Sequence, residues 1–397
     1  MQGGMKLSRN VCVIAGGQSE WGVRQASQRD LFQEAGKACF DSNKAITNKD
    51  IDGLIVGSAY TERCSFQTHL APLVAENLGI KPKNICARVE LLCATGSSSI
   101  ILAYSMIKSG EADVIMVIGG EKLYTPQRWE INYSELASVD HDWDGAQGLG
   151  LPPPVFAMVA QQHMKLYGTT EEHLAMVAVK NRRNGLNNPK GQFREEITLE
   201  TAMNAKAIVR PMKLFDCCPV TDGAAAIILA AEDKAKYLTD KPLVYIRGTA
   251  QATVHNMSAN MTNWTTWEAL DIASRQAYKK ARVTPQDIDV AQTHDCFTIS
   301  EIIEYEDLGF CKKGEGGDFI KAGKSDFGGQ VPVNTDGGLL ACGHPFGGTG
   351  IRQGIEIMRQ LRGDAVRQVE GARIGLTHNL SGFIAAHTVL IYGRDLE

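Results

Sequence analysis

Three short segments of the 397-residue sequence carry residue types that could do covalent chemistry. In the first, Leu91-Leu92-Cys93-Ala94-Thr95-Gly96-Ser97-Ser98-Ser99, a thiol sits where a strand end runs into a helix start. Unpaired N–H groups and the helix dipole at such a point favour the thiolate, the nucleophilic form of cysteine. Cys93 is therefore the candidate nucleophile, although most free cysteines are small buried hydrophobes and this stretch alone would not decide the matter. The second segment, Gly337-Gly338-Leu339-Leu340-Ala341-Cys342-Gly343-His344-Pro345-Phe346-Gly347-Gly348-Thr349-Gly350, frames one imidazole, His344, with glycines that permit close backbone approach. A purely structural histidine is the weaker account of that frame. The third, Thr293-His294-Asp295-Cys296-Phe297, makes a histidine and a cysteine near neighbours, a pairing suited to proton transfer. Asp295 reads less as a base than as a cap for a helix over Ile299–Tyr305, or as a group that orients a neighbour.

These segments need elements to hold them. Apolar runs bounded by glycine, Val11–Ala15, Gly53–Val56, Val114–Ile118 and Ile227–Ala230, read as buried strands. Ser97–Lys108 has helical spacing and stops at Gly110, so strand, helix and strand alternate as in an α/β protein. Glu34–Asp52 also lies without gaps on Asp271–Asp289. In each, a helix-like stretch leads to Ile46 or Val283, then Thr47 or Thr284, then Asp50-Ile51-Asp52 or Asp287-Ile288-Asp289. Each half also has a cysteine-bearing turn ahead of a helix, at Cys93 and at Cys342-Gly343-His344, which points to a duplicated core. Residues 1–120 with about 225–250 would form the N-terminal half and 251–397 the C-terminal half. Residues 121–224, with Pro152-Pro153-Pro154, Asn187-Asn188-Pro189 and Cys217-Cys218-Pro219, would be an inserted loop domain covering a site at the junction. Trp129, Trp143, Trp264 and Trp267 are expected to anchor loops, or to line an aromatic pocket, and His163 to pack within the insertion.

Composition narrows the class of function. With 41 Lys plus Arg against 45 Asp plus Glu, the net charge of −4 leaves no basic excess for nucleic acid or an anionic membrane. The longest apolar strand stretch ends at Gly119-Gly120, far short of a membrane span. Met1–Asn10 lacks the apolar run of a secretory leader, and the ten cysteines lack the regular spacing of a disulfide framework. The expectation is a soluble, cytoplasmic protein with free thiols. Adjacent Cys217 and Cys218 are unsuited to chelating one metal, and no metal site is expected.

Taken together and in order, the cysteine turn, His-Asp-Cys-Phe and Gly-His-Pro resemble the thiolases, in particular the branch of sterol-carrier-type and archaeal acetoacetyl-CoA thiolases. The resemblance runs from Val11 to Tyr392 and implies a duplicated, layered α-β-α core with an inserted loop domain. It implies acyl transfer through a Cys93 thioester, with His344 activating the thiol and coenzyme A as substrate rather than cofactor. It also implies two oxyanion holes, one from His294 and His344, the other from the N–H groups of Cys93 and Gly382. Leu380 stands where many thiolases carry an acid/base cysteine, and leucine moves no proton; the resemblance passes that role to Cys296, with Cys342 a competing thiol. A homodimer or larger oligomer is implied, and this branch often pairs with a small zinc-ribbon and OB-fold partner subunit. Three other functions stay open on the residues: a bulky aromatic substrate such as 2-benzoylsuccinyl-CoA, a ketosynthase or hydrolase using Cys93 and His344 without Cys296, and a non-catalytic acyl-CoA-binding subunit.

Overall fold

The computed structural model describes residues 9–124, 128–255 and 260–396. Nine strands form the main sheet: β1 (Val11–Gln18), β2 (Gly53–Gly57), β3 (Ile85–Val89), β4 (Val114–Glu121), β7 (Gly223–Ala231), β8 (Val244–Thr253), β9 (Val290–Gln292), β10 (Ile374–Ser381) and β11 (Ala386–Gly393). Between β4 and β7, β5 (Ala207–Val209) and β6 (Met212–Lys213) make a separate two-stranded ribbon. The spatial order is β3-β2-β4-β7-β1-β8-β11-β10-β9. β1 and β8 meet through only two residue pairs, Cys12 with Tyr245 and Val13 with Val244, so the sheet is two halves joined at a narrow seam.

The seam is a pseudo-twofold, with β1, β7, β4 and β2 on one side matching β8, β11, β10 and β9 on the other. The duplicated motif repeats in its hydrogen bonds. The N–H and hydroxyl of Thr47 donate to Asp50, and those of Thr284 donate to Asp287. Asp52 then accepts from the N–H groups of Asp113 and Val114 where β4 begins, and Asp289 from those of Arg373 and Ile374 where β10 begins. One loop-locking device thus serves both halves. The expected boundary at 250/251 falls inside β8, whose pairing makes it the counterpart of β1.

Strand faces alternate, so each half-sheet buries both sides. Val13, Val117, Ile227 and Leu229 from one half and Ile246, Leu390 and Tyr392 from the other enclose Ile100, Ala103 and Ile107 of helix Thr95–Ser109 and Ile351, Ile355 and Leu361 of helix Phe346–Arg362. These two helices form the shared middle layer. The outer faces are covered by helix Gln28–Ser42, through Leu31, Phe32 and Ala35, and by helix Glu268–Ala281, through Leu270, Ala273 and Ala277. The fold is a duplicated, layered α/β core in which the helices following Cys93 and His344 lie side by side.

The insertion is more regular than its composition suggests. Pro152, Pro153 and Pro154 open helix Pro152–Tyr167, because first-turn residues need no intrahelical N–H bond. His163 on that helix does more than pack: its Nδ1 is 2.8 Å from Thr169 Oγ1 and its Nε2 is 3.1 Å from Glu306. Trp267 is buried with its ring 5.5 Å from that of His387, and Trp264 packs half-buried beside Val139, Val155 and Phe383. Trp143 is exposed; the Trp129 side chain lies outside the described residues. No described helix is long and apolar enough to cross a membrane.

Candidate active site

Cys93 lies on a 3-10 turn, Leu92–Ala94, between β3 and helix Thr95–Ser109. Leu92 is left-handed, at φ 40°, a conformation that costs a non-glycine residue about 1–3 kcal/mol and persists only where neighbours enforce it. They do so here. The N–H of Leu91 donates to Thr95 Oγ1 (2.7 Å), the N–H of Leu92 to Glu90 Oε1 (2.6 Å), and Ser381 Oγ to the Leu91 carbonyl (2.8 Å). The N–H groups of Gly382 and of Cys93 itself are turned to the sulfur.

His344 and His294 arrive from the other half. Their rings meet edge-on with centroids 4.8 Å apart, and the Cys93 sulfur and an imidazole nitrogen from each histidine lie within 4.8 Å of one another. His344 is anchored by its N–H to Thr221 Oγ1 (3.1 Å) and by Nδ1 to Thr349 Oγ1 (2.7 Å). The Thr349 hydroxyl donates to the Pro345 carbonyl, so its oxygen accepts from His344 Nδ1–H and His344 Nε2 is a bare base. For His294 the polarity reverses. Asn379 Nδ2 donates to His294 Nδ1 (2.9 Å), which leaves the hydrogen on Nε2 as a donor. Among the described residues neither Nε2 has a hydrogen-bond partner, although both rings are buried. Between them they offer one proton acceptor and one oxyanion donor.

The chain matches the family profiles described as "Thiolase, N-terminal domain" over residues 11–233 and "Thiolase C-terminal domain-like" over residues 250–394. It is 39% identical to an acetyl-CoA acetyltransferase of Methanothermobacter thermautotrophicus over 97% of this chain and all of that protein. It is 33% identical to sterol carrier protein 2 of Bos taurus over 97% of this chain and 72% of that one. The chain belongs to the thiolase family. Among solved structures it is similar to the Ltp2-ChsH2(DUF35) aldolase, at 27% identity and TM-score 0.82 over 97% of this chain and 98% of that one. A crystal structure of human mitochondrial 3-ketoacyl-CoA thiolase, at 21% identity, shares the fold with TM-score 0.76 over 98% and 99% of the two chains. As a thiolase-family enzyme, the protein is an acyltransferase.

Two sequence expectations about this thiolase need correcting. The helix start does not leave Cys93 as a ready thiolate: burial, with Glu135 nearby, pushes its pKa up to about 12 against the help of the two N–H groups. Burial, then the charge of Arg352, pushes His344 down to about 3, so thiol and imidazole rest as a neutral pair. Second, Asp295 does not cap helix Thr298–Asp307, whose N-cap is Phe297. Its carboxyl accepts from the N–H groups of Leu339 (2.7 Å) and Leu340 (3.1 Å) at the start of helix Gly338–Cys342 and from Asn181 Nδ2 (2.7 Å). Asp295 thus ties the His294 loop to the segment that delivers His344.

The two candidate acid/base thiols separate clearly. Cys296 is buried with its sulfur 3.8 Å from Ser300 Oγ, and its electrostatic neighbours include Cys218 and Cys93. Burial holds its thiol well above the usual range. Cys342 points elsewhere: its sulfur donates to the Asp336 carbonyl (3.1 Å) and accepts from Asn188 Nδ2 (3.1 Å), toward the insertion. Leu380 is buried in the apolar core.

Sequence reading missed Asn379, Thr349, Cys218 and Glu135. Thr349 lay inside the Gly337–Gly350 segment and Asn379 beside Leu380, but nothing in the local sequence says which neighbour sets a tautomer. Cys218 reaches the site because its N–H donates to the Cys296 carbonyl (2.9 Å). Glu135, on helix Arg128–Glu135, stands near Cys93, and burial raises its carboxyl to about 7; no local pattern marked it.

Proposed function

We propose that this thiolase makes or cleaves 3-oxoacyl-CoA thioesters through an acyl-Cys93 intermediate. Supporting this is the convergence of the Cys93 sulfur, a bare His344 Nε2 and a protonated His294 Nε2 at one point. In the synthetic direction His344 Nε2 takes the Cys93 proton as the sulfur attacks the thioester carbonyl of acetyl-CoA. The N–H groups of Cys93 and Gly382 hold the tetrahedral oxyanion, and its collapse expels CoA thiolate, which the imidazolium protonates. A second acetyl-CoA then binds with its thioester oxygen toward His294 Nε2–H and His344. Cys296, as thiolate, removes its α-proton, and the enolate attacks acyl-Cys93, forming the new carbon–carbon bond and releasing Cys93 as thiolate; return of the proton from Cys296 to that sulfur restores the starting state. His344 is neutral again once it has protonated CoA, so at this step its Nε2 carries no hydrogen and His294 Nε2–H is the donor to the enolate oxygen.

Coenzyme A enters as substrate and no resident cofactor is used. The three donors Cys93, His294 and His344 also resemble a soft-metal set, but zinc would need both Nε2 atoms bare, and Asn379 keeps a hydrogen on His294. Acetyl-CoA as acyl donor is carried over from the archaeal relatives' name. A small partner subunit is proposed by analogy with the similar Ltp2-ChsH2(DUF35) aldolase, whose name joins two proteins. The edge strand β3, paired among the described residues with β2 alone, suits pairing with a second copy, and cytoplasmic location is part of the same reading.

Intact-mass measurement after incubation with acetyl-CoA and a panel of 3-oxoacyl-CoA esters tests the proposal. A 42 Da increment from acetyl-CoA, roughly the mass of an acetyl group replacing hydrogen, should map to Cys93 and vanish in Cys93→Ala. An aromatic acyl increment instead would favour the bulky-substrate reading, and no increment with any ester would overturn the intermediate. Cys296→Ala that still hydrolyses thioesters while losing carbon–carbon chemistry would support its acid/base role.

A further inference from the structure

Behind Cys296 lies a set of fully buried titratable side chains that the acyl-transfer steps do not use. Cys296, Ser300 and Glu304 are spaced by four, so the turn entering helix Thr298–Asp307 and the helix itself bring them onto one face. The Cys296 sulfur is 3.8 Å from Ser300 Oγ, and the Glu304 carboxyl one turn on is near enough for its charge to act on the thiol. On the far side Glu304 Oε1 is 3.5 Å from His378 Nδ1 on β10, and His378 Nε2 is 3.0 Å from His387 Nδ1 on β11. The two rings lie nearly parallel, at 13°. Beyond them, His255 follows the end of β8, half-buried, and its charge acts on His387.

Glu304, His378 and His387 have no exposed surface at all. Thr293 and the N–H of His294 face the Glu304 carboxyl, and the Ile384 carbonyl faces the His387 ring. Even so, among the described residues neither carboxyl oxygen, nor His378 Nδ1, nor His387 Nε2 meets a partner at full hydrogen-bond geometry. Each such group is destabilising by about 1–3 kcal/mol, which apolar residues of like size would avoid. Three of them in a row from the acid/base thiol toward the outside are a poor way to stabilise a core. They share one capability: a carboxyl group and a neutral imidazole can each release a proton at one atom and accept one at another.

We propose that Glu304, His378 and His387 form a proton path serving Cys296. The proposal rests on the reading of Cys296 as the acid/base thiol. Glu304 passes its carboxyl proton to His378 Nδ1, His378 passes its Nε2 proton to His387 Nδ1, and His387 releases its Nε2 proton toward His255. The Glu304 carboxylate then accepts the Ser300 hydroxyl proton as Ser300 accepts the proton of Cys296. The sum is one proton moved from the Cys296 sulfur to the far side of His387, leaving a thiolate, with Glu304 and Ser300 as they began and the two imidazoles as their other tautomers. The reverse shift re-forms the thiol. None of the three touches substrate, and all act through Cys296.

Glu304→Gln is the discriminating variant, because the amide matches an uncharged carboxyl group in size and polarity but cannot relay a proton. In deuterium oxide with acetyl-CoA as probe, mass spectrometry reads deuterium incorporated into the acetyl methyl group, a step that needs Cys296. The same spectra read acylation of Cys93, which needs only Cys93 and His344. Glu304→Gln should slow deuterium incorporation by about 10- to 100-fold while leaving the acylation rate and the thermal midpoint near those of the parent. Glu304→Asp should recover part of the loss, and His378→Gln should repeat it. Unchanged incorporation in folded Glu304→Gln overturns the path and leaves the Cys296 reading intact. Unchanged incorporation in Cys296→Ala overturns the acid/base reading itself, and the path with it.

Discussion

At the scale of single residues, the site is built from uncharged groups that become charged only during turnover. Cys93 is held up at about 12 and His344 down at about 3, so near neutral pH the free enzyme holds thiol and imidazole. Since only the thiolate alkylates, iodoacetamide labelling of Cys93 should rise about tenfold per pH unit between pH 6 and 9. A plateau below pH 8, read by peptide mapping, would show a thiolate–imidazolium pair instead. Asn379 is the other residue on which charge handling depends, because its amide keeps the hydrogen of His294 on Nε2. Asn379→Ala should lower kcat by about tenfold or more, with the KM for acetyl-CoA little changed, since an oxyanion donor acts mainly in the transition state. Cys93, His294, Cys296 and His344 stood out in the sequence because each sits in a short motif, and Gly382 entered through the family resemblance. Asn379 and Thr349 did not, because a tautomer is set by whichever group packs against the ring.

Among the elements, the site depends on two close approaches. Asp295 holds the first turn of helix Gly338–Cys342, and His344 follows two residues after that helix. Asp295→Ala leaves two buried N–H groups without their acceptor. It should lower unfolding free energy by about 2 kcal/mol, read by denaturant melts, and displace His344 enough to depress acylation of Cys93. The second approach is backbone on backbone: a Cβ at Gly119 would stand 2.2 Å from the Gly347 carbonyl oxygen. Gly119→Ala should therefore destabilise the fold by about 1–3 kcal/mol and slow turnover, by pushing β4 against the start of the helix that follows His344. The strands and the helix after Cys93 could be read from hydrophobic period and glycine boundaries. The helix that Asp295 caps could not, since its N-terminus lies more than forty residues further along the chain.

For the whole molecule, duplication is the organising fact, and it can be tested as such. Asp52 and Asp289 each receive two backbone N–H groups where the matching strands β4 and β10 begin. Asp52→Asn and Asp289→Asn should each lower stability by about 1.5–3 kcal/mol, with similar changes in denaturant midpoint; a loss confined to one half would mean that the two loops are not equivalent. By itself the sequence determined the α/β class, the repeat, the order of the three motifs and Cys93, His294, Cys296 and His344 as candidates for the site, because those signals are local and periodic. Tertiary structure alone decided that Cys93 rests protonated, that Cys342 faces away while Cys218 faces in, and that Glu304, His378 and His387 line up behind Cys296. The physical reason is common to all three: desolvation and neighbouring charge depend on what packs around a group, and here those neighbours come from segments up to several hundred residues apart.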